Sequence, residues 1–204
     1  MRLKTVFLAA IFCAATAVQA QDLAPLPTQG FYRLPFADGT SVKVFDDFAS
    51  HRPAGRVDLY AVGGTAPYRV VAAAGGRIMA IQDRYSVQQS GRPAKDCRDN
   101  YVWIAHANGE WTNYAHLAHG SVSNHLRIGD VVKAGDYLGD EGAVGCAMLK
   151  HVHFEVAVPQ RENAIDDGGF LLDNDLSKRE RDPSFCGVPG GRVVKGATYK
   201  AVGC

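Results

Sequence analysis

Four absences narrow what this chain of 204 residues can be. Beyond the first twenty residues, no apolar run approaches the length of a membrane-spanning helix. Basic and acidic residues nearly balance, with a formal net charge of +1, so neither nucleic acid nor an anionic membrane surface is an expected partner. No stretch keeps the period of an amphipathic helix. The chain also lacks His-Glu-x-x-His and Cys-x-x-Cys, which excludes a helical zincin site and argues against a cysteine-bound zinc.

The N-terminal residues 1–20 predict a secretory signal peptide. They combine a basic start at Arg2 and Lys4, an apolar stretch over residues 6–17 and a small-x-small cleavage site that ends at Ala20. We therefore expect an exported protein, periplasmic or extracellular. The length that remains after cleavage suits one well-packed domain.

Four cysteines follow the predicted signal, namely Cys97, Cys146, Cys186 and Cys204. An even number in an exported chain favours disulfides over metal ligation, and four cysteines allow three pairings. We favour Cys97–Cys146, which would join two loops that flank the histidine-rich region. The second pair would then be Cys186–Cys204, which closes a short loop in the tail.

Short apolar or alternating runs, separated by Gly and Asp, indicate an all-β domain. The runs are Val42–Phe45, Tyr68–Ala73, Arg77–Gln82, Tyr101–Ala107, Glu110–Leu117, Val131–Lys133, Asp136–Leu138 and His151–Val158. We predict an extended lead-in over residues 21–40 and a compact antiparallel β-sheet or sandwich domain over residues 41–160. A loop-rich, disulfide-stapled extension, peripheral to the chemistry, would follow over residues 161–204.

One hairpin is specified in detail by Asn108-Gly109, which favours a two-residue type I′ turn. That turn would place Trp103 opposite Tyr114. One face of the hairpin would then be core, and the other would carry an aromatic set. The core face comprises Val102, Ile104, Ala115 and Leu117, and the aromatic set Tyr101, Trp103, Tyr114 and His116. The aromatic set would form the wall of a groove, or simply pack across the strands.

The segment His151-Val152-His153-Phe154-Glu155 says most about function. Residues two apart in a strand face the same way, so His151 and His153 share one face while Val152 and Phe154 face a core. Two imidazoles roughly 7 Å apart on a rigid strand suit a transition metal. The alternative is two surface histidines on an edge strand. Glu155 shares their face, where it would orient a histidine or lie at the rim as a solvated charge.

A hydrolytic zinc site needs three protein ligands and an open position for water, whose pKa the metal lowers from ~15.7 to about 7. Histidine and carboxylate are suitable ligands. The histidines available are His51, His106, His116, His119, His125, His151 and His153. A site built on strands is therefore possible.

Several motifs follow one another in a specific order between residues 45 and 158. The chain carries an early His51…Asp58 pair, a later Tyr114-Ala115-His116-Leu117, and the terminal His-x-His strand. The small-residue stretch 72–78 follows the aspartate, and the glycine-flanked stretch 129–135 precedes the terminal strand. This order resembles the lysostaphin-type zinc metallopeptidases, which cut peptide bonds in bacterial peptidoglycan and have the duplicated hybrid motif fold.

The resemblance implies a role for each matching residue. His51, Asp58 and His153 would ligate one Zn²⁺. His116 and His151 would stay free of the metal; one would accept or relay a proton from the attacking water, and both would stabilise the oxyanion and the leaving amine. Tyr114 would assist by hydrogen bonding or merely pack.

One spacing departs from the family pattern. The family places its first His and Asp four residues apart, whereas His51 and Asp58 are seven apart. Residues 52–57 would have to form a longer turn, which Pro53 and Gly55 favour. Asp46 and Asp47 are the alternative ligands.

The resemblance thus implies a secreted zinc endopeptidase that acts on peptidoglycan cross-links or stem peptides, as a monomer without a membrane span. Two other functions stay open. The altered spacing leaves room for a non-catalytic regulator of cell-wall hydrolases, although the complete set of ligands and free histidines favours an enzyme. An extracellular protease acting on protein substrates would use the same site.

Overall fold

The structure is a computed structural model that describes residues 26–91, 96–160, 165–166, 168–172 and 176–204. The predicted signal peptide lies outside these residues. Within them, no helix has the length and apolar character that crossing a membrane would require.

The described residues form strands joined by turns, with one four-residue helix, α1 (Leu176–Arg179). The strands are β1 (Pro27–Tyr32), β2 (Ser41–Asp46), β3 (Val57–Val62), β4 (Arg69–Val71), β5 (Gly76–Gln82), β6 (Tyr101–Ala105), β7 (Trp111–Ala115), β8 (Val131–Val132), β9 (Tyr137–Asp140), β10 (Val152–Ala157), β11 (Asp182–Phe185) and β12 (Thr198–Lys200). Each of the eight predicted runs overlaps one of these strands. The all-β prediction is confirmed.

An eight-stranded sheet in the order β12-β2-β3-β10-β7-β6-β5-β8 dominates the fold, and every pair in it is antiparallel. Two small sheets accompany it. Strands β4 and β9 pair antiparallel, whereas β1 and β11 pair parallel. Strand β10 lies near the middle of the large sheet, between β3 and β7, so residues on these three strands meet across neighbouring positions.

A single large apolar core joins the eight-stranded sheet to the β4–β9 pair. Val152 and Phe154 of β10 are fully buried in it, as the alternation of the sequence predicts. Val70 of β4 and Leu138 of β9 belong to the same cluster. Complete burial of such side chains contributes about 1.5–3 kcal/mol each, so the apolar face of β10 anchors the strand and leaves its other face for polar groups.

The β6–β7 hairpin differs from the prediction by one residue. The His106 N–H donates to the Glu110 carbonyl (2.9 Å), and the Gly109 N–H donates to the His106 carbonyl (3.0 Å). The loop therefore has three residues, 107–109, and Gly109 adopts a φ of 81°, as the third position of such loops requires.

This shift moves Tyr114 to the opposite face of the hairpin from the one predicted. Tyr114 pairs with Val102, and Trp103 pairs with Asn113. A slip of one residue exchanges the two faces of a strand. Tyr114 consequently lies fully buried in the main core, while Ala115 joins the aromatic face.

The aromatic face is covered and does not line an open groove. Tyr101, Trp103 and Trp111 form a second apolar cluster with Leu171 from the C-terminal segment. The Trp103 Nε1–H donates to the Gly169 carbonyl (2.8 Å). A side chain at position 169 would overlap the Tyr101 ring, so glycine is required for this close approach. The prediction that the aromatic set forms the wall of a groove is therefore wrong. Burial of Tyr101, Trp103 and Trp111 against the C-terminal segment is more favourable than their exposure to water.

The lead-in and the C-terminal extension are built into the domain. Strand β1 pairs with β11, and β12 forms one edge of the large sheet. Phe185, Val188 and Ala201 lie in the main core, so the extension is less peripheral than predicted. The structure joins the two cysteine pairs that the sequence favours, Cys97–Cys146 and Cys186–Cys204.

Candidate metal centre

Three neighbouring strands present the polar residues of the site. Asp58 on β3 lies directly opposite His153 on β10. His151 immediately precedes β10, and His116 immediately follows β7. His51 comes from the loop between β2 and β3. The antiparallel pairing therefore brings together residues that are up to 102 positions apart in the sequence.

The three predicted ligands converge. The His51 Nε2 lies 3.5 Å from one carboxylate oxygen of Asp58, and the His153 Nδ1 lies 3.1 Å from the other. One donor atom from each residue falls within 4.8 Å of the others. The longer turn over residues 52–57 thus returns the aspartate to the first histidine despite the altered spacing.

The alternative carboxylates are engaged elsewhere. Asp46 Oδ1 accepts from the Lys195 ammonium (2.6 Å) and from the Ser50 hydroxyl (3.0 Å). Asp47 accepts from the backbone N–H groups of Ser50 (2.9 Å) and Lys195 (3.0 Å). Both aspartates therefore hold the loop that carries His51.

His116 and His151 stand beside the three converging residues. The His151 Nε2 lies 3.5 Å from Asp58. The His116 ring is 4.7 Å from the His151 ring and 5.8 Å from the His153 ring, measured between centroids. Both histidines are more than nine-tenths buried.

Backbone carbonyls fix the tautomer of three histidines. The Nδ1 atoms of His51, His116 and His151 lie 2.7, 2.8 and 2.9 Å from the carbonyl oxygens of Pro53, Val144 and Leu149 respectively. A carbonyl only accepts, so each Nδ1 carries the proton. Each Nε2 is then left with a lone pair for a metal or a substrate proton.

The backbone of His116 is also unusual. Its φ of 64° is the only positive value among the described non-glycine residues. Such a conformation costs about 1–3 kcal/mol and persists only where surrounding contacts impose it. The turn ends strand β7 and directs the imidazole toward the other histidines.

The protonation states of His153 and Asp58 favour metal binding. Burial alone would lower the pKa of His51, but hydrogen bonding to Asp58 and its charge raise it above the usual value, so a metal has to displace a proton from His51 more often. Burial lowers the pKa of His153 to about 4, although the neighbouring Asp58 acts against this. Burial alone would raise the pKa of Asp58, but hydrogen bonds with His151, His153 and His51 hold it well below its usual value. Near neutral pH the chain thus presents a neutral imidazole and a carboxylate, the forms that bind metals.

The residues fit a zinc ion. Two imidazoles and one carboxylate form a ligand set that Zn²⁺ commonly takes in catalytic sites. The His153 Nε2 is buried and has no hydrogen-bond partner in the described part of the chain. Three histidines, His51, His151 and His153, share the single carboxylate of Asp58.

The sequence model of Peptidase family M23 matches residues 53–166. The chain belongs to Peptidase family M23. The family resemblance seen in the motifs is thereby confirmed. His51 lies two residues before the matched segment, and its place in the site follows from the geometry.

Similar solved structures include three M23 proteins. The catalytic domain of the prophage-encoded M23 protein EnpA from Enterococcus faecalis is 24% identical, with a TM-score of 0.43 over 68% of this chain and 89% of that one. Lysostaphin from Staphylococcus simulans is 22% identical, with a TM-score of 0.41 over 62% of this chain and 45% of that one. The deep-sea M23 metalloprotease pseudoalterin is 20% identical, with a TM-score of 0.44 over 85% of this chain and 96% of that one. This chain thus spans less than half of the lysostaphin chain. A comparison with curated proteins finds no match.

The M23 site opens into a cleft of about 450 Å³. All five predicted site residues line it. Phe170, from the C-terminal segment, packs edge-on to His153 with 5.8 Å between ring centroids. Met148 stands at the rim with three-quarters of its surface exposed. Phe170 was missed because nothing in its local sequence signals a cleft residue.

Glu155 takes neither of its two predicted roles. It is fully buried and accepts from Arg56 Nε (3.3 Å), with Arg179 Nη2 at 3.8 Å. Glu180 in turn lies 2.7 Å from Arg179 and 3.5 Å from Arg56. Glu155 therefore belongs to a buried arginine–glutamate cluster of these four residues. Its partners could not be read from the sequence, because two of them come from the C-terminal extension.

Tyr114 packs and does not reach the cleft. Its hydroxyl accepts from the Ala73 N–H (2.7 Å) and lies 3.0 Å from the Thr112 hydroxyl. His106 is tied to Thr112 as well, through its Nε2 (2.9 Å). His119 and His125 are exposed in a loop. None of these residues lines the cleft.

Proposed function

We propose that this M23 peptidase is an exported zinc endopeptidase that hydrolyses peptide bonds in bacterial peptidoglycan, in cross-links or in stem peptides. The observation that carries the proposal is the convergence of His51, Asp58 and His153, with two further histidines beside them. The two disulfides and the predicted signal peptide support an oxidising location outside the cytoplasm.

His51, Asp58 and His153 would hold the zinc ion. When bound, zinc would polarise the scissile carbonyl and lower the pKa of a water to about 7. Asp58 has a second task in this arrangement, because it accepts from His153 and lies within 3.5 Å of His51 and His151. It therefore keeps the ligand imidazoles in place.

His116 and His151 would handle the protons. Their Nδ1 atoms are bound to carbonyls, so the Nε2 of a neutral imidazole would take a proton from the attacking water, and the Nε2 of a protonated one would give a proton to the leaving amine. Once protonated, either imidazolium would also stabilise the negative charge that develops on the carbonyl oxygen. Burial on every side but the cleft strengthens these interactions.

The test combines metal content with hydrolysis. Purified protein loaded with zinc should contain one zinc per chain and release new amino groups from peptidoglycan fragments. In His116→Ala the zinc content should persist while hydrolysis falls by about 10²–10⁴-fold, as expected for a lost general acid or base. His125→Ala, in an exposed loop, is the matched control and should keep both properties.

The other outcomes separate the alternatives. A protein without zinc and without hydrolysis would favour a non-catalytic regulator of wall hydrolases. Cleavage of a protein substrate but not of peptidoglycan would favour an extracellular protease. Loss of zinc in His116→Ala would overturn the division of roles between the ligands and the free histidines.

A further inference from the structure

Two loops that one disulfide joins hold His116. The His116 Nδ1 lies 2.8 Å from the Val144 carbonyl and 3.4 Å from Asp99 Oδ1. Asp99 comes two residues after Cys97, and Val144 comes two residues before Cys146. These cysteines form a disulfide that itself lines the cleft. The Val144 carbonyl and the Asp99 carboxylate, which both lie near the Nδ1–H of His116, are therefore each two residues from this disulfide.

Asp99 is a fully buried carboxylate. Its Oδ1 accepts from the Cys146 N–H (3.3 Å), and its Oδ2 has no hydrogen-bond partner among the described residues. The ion-pair partner that the described chain gives it is His116. A buried carboxylate without full compensation is costly to the fold. The hydrogen bond to the Cys146 N–H uses one oxygen and no charge, whereas the charge lies beside a histidine that would handle protons.

The loop that carries Val144 fits tightly over Asp99. Gly145 has a φ of 83°, and a side chain at this position would overlap the Asp99 carboxylate. Glycine is therefore needed both for the backbone conformation and for the close approach. The loop and the carboxylate are packed as one unit against His116.

We propose that Asp99 is a positioning residue for His116, and that the Cys97–Cys146 disulfide keeps Asp99 and the Val144 carbonyl in place around it. The Asp99 carboxylate lies on the Nδ1–H side of the His116 imidazole and orients this ring. It also offsets the positive charge when His116 takes a proton. The inference rests on the proposed function, because it assumes that His116 transfers protons.

Asp99→Asn is the decisive variant, because it keeps the shape and the acceptor for the Cys146 N–H while it removes the charge. We expect kcat to fall by about 10–100-fold, with KM and zinc content unchanged, since the charge acts mainly in the transition state. In a His116→Ala background the same substitution should cause no further loss, because the residue it acts through is gone.

Asp83→Asn is the matched control. Asp83 is also a buried carboxylate, and it accepts from the backbone N–H groups of Val122 (3.0 Å) and Ser123 (2.8 Å). It does not line the cleft. Its neutralisation should leave kcat unchanged.

The disulfide is tested by a second pair of variants. Replacing Cys97 and Cys146 together by serine should lower kcat while zinc remains bound. Replacing Cys186 and Cys204 in the same way should leave kcat unchanged, because that disulfide lies away from the cleft. If the first double variant fails to fold, the second one treated with a phosphine reductant takes its place, and an unchanged kcat after reduction of Cys97–Cys146 would overturn the role of this disulfide.

A readout independent of hydrolysis comes from ¹⁵N-edited NMR of the histidine side chains. Asp99→Asn should shift the ring nitrogens of His116 and leave those of His106 unchanged. Full activity of Asp99→Asn, or an undiminished loss in the His116→Ala background, would overturn the proposal. An unchanged His116 spectrum would overturn it even if the wild-type protein proved inactive, in which case the proposed function fails separately.

Discussion

Two charged clusters lie side by side on one face of strand β10. The first surrounds His153 and the second surrounds Glu155, two residues further along. The arginine–glutamate cluster brings two arginines and two glutamates into mutual contact. In the histidine cluster Asp58 serves His51, His151 and His153, and Asp99 lies beside His116. The buried His153 Nε2 has no hydrogen-bond partner among the described residues.

The two clusters differ in role: the arginine–glutamate cluster connects parts of the fold, and the histidine cluster forms the candidate site. A buried ion-pair cluster that is internally balanced can hold strands together, even though its net stabilisation is small. Here it connects β3 and β10 to the C-terminal segment through Arg56, Glu155 and Arg179. The histidine cluster lines a cleft, whereas Glu155, Arg179 and Glu180 do not. The arginine–glutamate cluster links segments of the fold, whereas we propose that the histidine cluster holds a zinc ion.

The largest effect is expected when a predicted metal ligand is removed from the histidine cluster. His153→Ala should abolish both zinc binding and hydrolysis, because two remaining ligands do not make a closed three-point site. The measurements are zinc per chain and amino-group release, with His125→Ala as the control. Retention of zinc at one per chain would show that the metal is held elsewhere.

A substitution in the arginine–glutamate cluster should lower the free energy of unfolding and leave zinc binding and hydrolysis unchanged. Glu155→Gln removes the carboxylate that both buried guanidinium groups approach, and we expect a loss of about 3 kcal/mol in the free energy of unfolding. Urea denaturation measures this loss, while zinc content should stay at the wild-type level. A loss of zinc without a loss of stability would instead support a role for Glu155 in orienting a histidine.

The smallest effect is expected at Glu180. Burial and the nearby Glu155 raise the pKa of Glu180 well above its usual value, against the opposing influence of Arg56 and Arg179. The folded state therefore keeps this proton to a higher pH than the unfolded state, so stability is lost as the pH rises above about 4.5. Glu180→Gln cannot ionise and should lack that loss, with a difference of about 1 kcal/mol.

The control for this experiment is internal. The histidines titrate in both proteins, so their contribution cancels when the pH dependence of unfolding is compared between wild type and Glu180→Gln. Identical pH profiles in urea denaturation would show that Glu180 ionises in the folded protein as readily as in the unfolded chain.

Much of the fold was predictable because it depends on local patterns. Alternation assigned Val152 and Phe154 to the core and His151 and His153 to the other face, since the period of a strand is two residues. The eight runs, the cysteine pairs and the family motifs were equally accessible. The prediction was wrong at the β6–β7 hairpin, because Asn108-Gly109 is compatible with both a two-residue and a three-residue loop.

The neighbours of the site residues were not predictable. The sequence places Glu155 on the histidine face, but only packing shows that Arg56, Arg179 and Glu180 meet it there. It offers no sign that Asp99 would lie beside His116, seventeen residues away.

Periodicity is thus sufficient to locate the strands and to assign the faces of β10, and the ordered motifs are sufficient to indicate the family. The return of Asp58 to His51 across a lengthened turn, the covering of the aromatic face by residues 168–171 and the partners of Asp99 and Glu155 arise in the folded chain alone. The reason is physical: local steric rules act between residues close in sequence, whereas burial and charge pairing act between residues that meet only when the sheets close around one core.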